Sequence, residues 1–457
     1  MRSSRIQCGG ALALAFVAIW SGCGVGKKPE PARSSSASES APAAVVGDGL
    51  PRTLAELDAW YLEPRENGAT FFGRGLEAMQ TSPPGLAALP LLGQGKLPPP
   101  GTRLPASLKS ALAALVQSNQ EALRLFGQGA ACENSRYPVD LSRGFESLLP
   151  HLPKLKTAAS LVALSAVFHA EAGDGKQAAA DVLTALGLAR SLEAEPALLS
   201  QLVRVVGVSR AVAGLEQSAC RAVLPQESLV DLLRAFQRME EHEARGDAFN
   251  RGLAAEFVIS TTLFAAPSRL QQALEAPGVK MAAEDHHEAL ARLQHKEKLA
   301  EEKSFLEESF QQLWSARQGP FPSRLRADDV VRQRVAEAAD RKLPIVGVLL
   351  PGLGGPTARE AECLANLRLG GTAVALEQFR AARAGRYPDS LSELTPEFLA
   401  ALPLDPFDGQ PLRYHKTGGG HLLYSIGPDL KDDAGARRNG QGGDLIFEGK
   451  GLASSRP

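Results

Sequence analysis

The sequence predicts a mainly α-helical, multi-helix protein followed by a small α+β unit, and three observations lead there. Aromatic residues make up 5% of the 457 residues, hydrophobic residues make up 44%, and Ala and Leu dominate, a composition that favours helices. Apolar residues recur at three- and four-residue spacing in successive stretches between Leu54 and Phe379. After Gly385 the pattern changes to short runs punctuated by Pro, Gly and Asp, which suits strands and tight turns. The length implies two or more domains. We divide the chain into an export signal at 1–23, a tether at 24–50, a helical domain at 51–355 and an α+β unit at 356–450. Formal net charge is -1, which gives no electrostatic case for a nucleic-acid partner.

Arg2 and Arg5 precede an apolar run from Ala11 to Trp20, the right length for a signal core and too short to span a bilayer. Ser21-Gly22-Cys23 follows and resembles a bacterial lipobox, with Trp20 where Leu is usual. The resemblance implies that Cys23 carries a diacylglycerol and an N-acyl chain, and several chains anchor a protein to a membrane where one does not. It also implies an envelope location. Gly24 lacks the Asp associated with inner-membrane retention, which favours the outer membrane facing the periplasm. An ordinary cleaved signal and an uncleaved anchor are the other readings. Residues 27–49 are rich in Ser, Ala and Pro without periodicity, a composition that cannot bury enough apolar surface to fold. Cys132, Cys220 and Cys363 remain in the mature chain. Their wide spacing matches no metal motif, and either a disulfide between two of them or burial as small apolar residues is open.

The helical domain begins with Leu54 to Tyr61, capped by Thr53, and continues through an irregular stretch broken by Gly93, Gly95 and Pro98-Pro99-Pro100. Pro105 to Phe126 reads as one helix. Thr157–Ala172, Gln177–Leu192 and a run opened by Pro196 read as three more, with Gly173-Asp174-Gly175 breaking the first pair. The small faces around Ala178 and Ala185 resemble a tetratricopeptide-like hairpin, although no 34-residue period is present; a generic bundle with close-packing Ala faces is the alternative. Arg190, Arg204 and Arg210 interrupt these apolar runs and argue against a membrane span. Gln226–Phe249 and His286–Gln318 read as more polar helices. Lys342 to Gly355, apolar from Leu343 to Leu350 and too short to cross a bilayer, reads as a buried connector. Thr357 then caps a helix drawn to Ala384, with Gly370-Gly371 expected to weaken its middle by about 1 kcal/mol each.

The final stretch carries four blocks in order after that helix: Gly385-Arg386-Tyr387-Pro388, Leu402-Pro403-Leu404-Asp405-Pro406-Phe407, Leu423-Tyr424-Ser425-Ile426-Gly427-Pro428-Asp429, and Gly443-Asp444-Leu445-Ile446-Phe447. Pro411–Tyr414 and His421–Ile426 read as strands joined by a Gly418-Gly419-Gly420 tip, with Leu445–Phe447 as a third. This order resembles the C-terminal globular domain of type II secretion system major pseudopilins. A pseudopilin opens with a basic leader and a long apolar helix, whereas here the unit ends a longer chain. The resemblance implies a bound calcium ion. Asp429, Asp432, Asp433 and Asp444 supply carboxylates at the matching place, and calcium takes six to eight oxygens. The spacing is not that of an EF-hand, and a solvated turn with scattered Asp is the alternative.

Glu284-Asp285-His286-His287-Glu288 opens like a zinc-protease helix, yet position 291 is Ala, so a charged helix face is the better reading. No nucleophile elbow or phosphate-binding loop is written in the chain, and no residue merits a catalytic role. The expected function is a lipid-anchored, non-enzymatic interaction or assembly module of the envelope, associated with a type II secretion-like system. The alternative is a periplasmic hydrolase or ligand-binding protein whose site lies in the helical domain. A deep polar pocket with clustered His and carboxylates would favour the alternative.

Overall fold

The computed structural model describes residues 51–80, 89–276, 279–436 and 443–450. The signal, Cys23 and the tether lie outside the described residues. The protein is mainly helical and carries a small three-stranded antiparallel sheet near its C-terminus.

Helices α1 (Leu54–Trp60) and α2 (Gly68–Ala78) open the described chain. Thr53 caps α1 as expected, its hydroxyl accepting the Glu56 amide at 3.1 Å. The single helix expected over Pro105–Phe126 is two: α3 (Ala106–Ser118) and α4 (Gln120–Ala131). Asn119 breaks it, because its buried side chain accepts the Gln80 amide at 2.8 Å and donates to the Leu115 carbonyl at 3.0 Å. The next three helices follow the sequence reading closely: α5 (His151–Glu171), α6 (Gly175–Arg190) and α7 (Leu198–Ala219). Asp174 caps α6 by accepting the Gln177 amide at 2.9 Å. Ala178 and Ala185 are fully buried. Among the described residues, α7 is the helix long and apolar enough to cross a membrane, yet most of it is buried in the protein core, Arg204 included.

Two further helices also prove to be pairs. Gly246, at φ +78°, ends α8 (Gln226–Arg245) and starts α9 (Asp247–Ala265), a left-handed position that glycine occupies without steric cost. α10 (Pro267–Leu274) follows, then α11 (Ala283–Leu293) and α12 (Lys296–Ala316), which are separated at His295. α13 (Arg326–Asp340) follows, and the connector becomes the short α14 (Pro344–Leu349) and a 3-10 turn at Leu350–Leu353. The N-terminal amides of α14 are capped from a distance, by the buried Glu302 carboxylate, which accepts Val346 N at 3.0 Å and Ile345 N at 3.4 Å.

α15 (Pro356–Ala382) is the longest helix, and Asp328 of α13 caps it by accepting Gly355, Thr357 and Ala358 amides at 3.0–3.3 Å. It is buried along most of its length between α7, α8 and the sheet. Gly370-Gly371 does not interrupt it. A methyl group at Gly370 would stand 2.4 Å from the Phe236 ring of α8, so this glycine is what lets the two helices approach. One hydrophobic core runs from Leu57 of α1 to Phe447 of the last strand, unbroken across residue 355.

The sheet is a meander of β1 (Arg413–Thr417), β2 (Gly420–Ser425) and β3 (Leu445–Lys450), all antiparallel. Gly418-Gly419 is a two-residue hairpin tip, and Gly420 already pairs with Thr417. His421, Leu423 and Phe447 are buried where the sheet packs on α15. Cys132, Cys220 and Cys363 are free thiols, the last two buried.

Candidate functional site

Asp405 organises the C-terminal blocks. It has no exposed surface and accepts four hydrogen bonds, from Phe407 N at 3.0 Å, Ser425 Oγ at 2.9 Å, Ile426 N at 2.9 Å and Arg413 Nη1 at 3.0 Å. The Leu-Pro-Leu-Asp-Pro-Phe block is thereby tied to the Tyr-Ser-Ile-Gly block through one carboxylate. Tyr387 of the Gly-Arg-Tyr-Pro block is tied to α15 by its hydroxyl, which donates to Glu377. Ser390 and Glu393 form a capping box that closes the following 3-10 turn, Leu391–Leu394.

The Asp-rich loop leaves β2 and turns back into β3, and its residues 437–442 lie outside the described residues. Asp444 accepts Gly435 N at 2.7 Å and Asp433 N at 3.3 Å. Asp432 accepts Ala434 N at 2.9 Å and the Tyr424 hydroxyl at 3.2 Å, and its other oxygen lies 3.7 Å from Arg413. Asp429 accepts Lys431 N at 3.2 Å and stands apart from the others' hydrogen bonds. The Asp444 carboxyl is held above the usual range by burial, and the nearby Asp432 and Asp433 charges add to this. Negative charge thus accumulates here, as a cation would require. However, Asp429, Asp432 and Asp444 each turn carboxylate oxygen to the loop's own amides, and the described residues hold no group of three or more placed to ligate a metal. Between Asp429 and Asp432 sits Leu430, at φ +58° with 57% of its surface exposed. A leucine in the left-handed region costs about 1 kcal/mol, and here its apolar side chain faces solvent.

A second feature is a cleft of about 360 Å³ between α8, α15 and the segment 399–404. Its walls are largely aliphatic, with Leu233, Leu364, Leu399 and Leu402 among them. The carboxylate of its lining, Glu240, is paired with Arg368 at 2.8 Å. Thr372 lines it too, 1% exposed and with no hydrogen-bond partner for its hydroxyl.

Several buried polar side chains of the helical body close on each other. Glu195, fully buried, accepts from Tyr61 and Ser200 and lies 3.0 Å from His151 Nε2. A serine, a histidine and a carboxylate meet there, but both Ser200 and His151 bind the carboxylate, so the histidine is not set to take the serine's proton. Glu360 is gripped by Arg317 at 2.7 Å and Arg324 at 2.6 Å, with all three buried. Arg204 of α7 pairs with Glu243 of α8, whose carboxyl burial raises to about 7 against the pull of that arginine. His286 and His287 sit on α11 as a charged helix face, as the sequence suggested. Comparison with protein-family models, with curated proteins and with solved structures returned no match.

Proposed function

We propose that this chain is an exported, lipid-anchored envelope protein that acts as a non-enzymatic interaction module beside a type II secretion-like machine. Cys23 holds it to the membrane, the tether sets it off the surface, and the pseudopilin-like unit at 356–450 meets the partner. The observation that carries this reading is Leu430. An apolar side chain held in solvent by a left-handed backbone is what a docking contact needs, and a free monomer gains nothing from it. Leu404, 48% exposed on the Asp405 block, supplies a second apolar point on the same unit. Calcium belongs to this proposal. Bound among Asp432, Asp433 and Asp444, with Asp429 nearby, it would neutralise the loop's charge and hold Leu430 in place.

The test is capture of the tagged full-length protein from membrane extracts with calcium or with chelator, for wild type and Leu430→Glu. Secretion-machine subunits should come with the wild type in calcium. They should be lost with Leu430→Glu while its melting temperature stays unchanged. Recovery that ignores both the substitution and the chelator would sink the reading. The alternative, a ligand-binding protein with its site in the helical body, draws on the cleft beside α8.

A further inference from the structure

We propose that the outer edge of β1 pairs with β1 of a second copy of this chain, antiparallel and with His415 on the two-fold axis. The two edges of the sheet differ. On β3, Glu448 donates its amide to Glu216 Oε1 at 2.8 Å, and its carbonyl accepts the Cys220 thiol at 3.3 Å. Both partners stand at the C-terminal end of α7. Glu448 therefore faces away from β2. Antiparallel ladders alternate inward- and outward-facing residues, so Leu422, opposite Glu448, faces β1 and is paired there with His415. By the same alternation Tyr414 and Lys416 turn their amides and carbonyls outward. Among the described residues, no hydrogen bond reaches those groups, and His415, Lys416 and Thr417 are exposed. One edge of the sheet is closed by the chain's own helix, and the other is open.

Unpaired amides and carbonyls on alternate residues are complementary to an extended strand. A second copy supplies one and leaves no edge over. Three strands from each copy make one sheet, and both of its outer edges are β3, already covered by α7. A lone strand from another protein would leave its own outer edge open. The free groups also fix the register. Toward the start of β1 the edge is taken, because Pro403 O accepts the Leu412 amide at 3.5 Å and Leu404 bridges Pro411. Pairing centred on Tyr414 would need Leu412 and is blocked. Pairing centred on Lys416 sets two ammonium groups opposite each other, which is destabilising. Centred on His415, Tyr414 of each copy opposes Lys416 of the other, and all the outward groups are used. Lys416 is held by Asp389 at 2.7 Å, and Arg413, which would oppose Thr417, is held by Asp405 and Asp408. No uncompensated like charges therefore meet. This inference rests neither on the Asp-rich loop nor on a secretion-machine partner.

The experiment uses the full chain and follows its mass by sedimentation across a concentration series up to about 1 mM. A reversible dimer is expected. Lys416→Pro removes an outward amide and leaves the β1–β2 ladder whole, because proline is tolerated where an edge N–H faces solvent. It should weaken the dimer about ten-fold or more. Lys416→Ala should dimerise like wild type, and the two variants should melt at the same temperature when monomeric. Cross-linking then reads the register. His415→Cys places two thiols at a non-hydrogen-bonded pair, with Cα atoms about 4.5 Å apart, within the range of a disulfide. Mild oxidation should link the two copies. Thr417→Cys places them four residues out of step, roughly 13 Å apart, and should not link them. Wild type, which keeps the partly exposed Cys132, sets the background. A chain that stays monomeric across the series, a dimer indifferent to Lys416→Pro, or linking through Thr417→Cys as fast as through His415→Cys would overturn the proposal.

Discussion

At the scale of single residues, the protein keeps its polar chemistry inside. Its most exposed consequence is acid lability centred on His421. This histidine is 2% exposed, stacks on Phe447 with Tyr387 edge-on and Tyr414 tilted against it, and finds no hydrogen-bond partner for either ring nitrogen. Burial, with the Arg380 charge adding to it, pushes its pKa down to about 3. The unfolded chain returns it to about 6.5, so between pH 6.5 and 3 the unfolded state binds the extra proton and stability falls as pH falls. The full difference is about 5 kcal/mol, at roughly 1.4 kcal/mol per pH unit, complete near pH 3. Replacing His421 with Phe removes that proton site, and denaturant melts across this window should lose about one proton's worth of slope. An unchanged slope would mean that the ring is solvated in the folded state. None of this was legible in the sequence, where His421 reads as one residue of a strand. The same holds for Arg204, Glu243 and Glu360. A charge in an apolar run reads as an interruption, and its partner lies on another helix. The Asp residues of the last loop were legible as a group, and the structure keeps them in one loop while aiming oxygens of Asp432 and Asp444 at its amides.

At the scale of elements, periodicity located the helices, and the misses fall where tertiary contacts cut a periodic run. Asn119 ends α3 because Gln80, distant in sequence, offers it an amide. Gly246 was the readable exception, a glycine followed by Asp between two helices. The cleft was illegible for the same reason as the charge pairs, since it draws on 233–244, 364–372 and 399–404. Gly370-Gly371 shows how propensity misleads. Both lie mid-helix, where Ala should gain about 1 kcal/mol over Gly. At Gly371 a new methyl would meet the Phe236 Cβ at 3.5 Å, an ordinary contact, so Gly371→Ala should stabilise by up to about 1 kcal/mol. At Gly370 it would stand 2.4 Å from the Phe236 ring, and overpacking of this kind costs about 1–3 kcal/mol. Gly370→Ala should therefore lower the melting temperature while its neighbour raises it. Two shifts of the same sign would remove close helix approach as the reason for the first glycine.

At the scale of the molecule, the question is whether the C-terminal unit stands alone, and α15 argues that it does not. The helix belongs by sequence to the C-terminal unit, yet 19 of its 27 residues are buried, largely against α7 and α8. Leu364, Leu367, Leu369, Val374, Leu376 and Phe379 are among them, and burying each contributes about 1.5–3 kcal/mol. Together that is about 9–18 kcal/mol, comparable to the whole stability of an ordinary domain, about 5–15 kcal/mol. Removing α15 would also strip Glu360 from Arg317 and Arg324, leaving two buried cations unpaired. A chain stopped at Gly355 and a piece spanning 356–457 should each be insoluble or molten, with strong binding of an apolar dye. The full chain should unfold in one transition, and the slowest-exchanging amides of β2 and α7 should report the same opening free energy. If the two pieces fold separately and their far-UV spectra sum to that of the full chain, then the contacts of α15 are dispensable and the protein is two domains resting on each other.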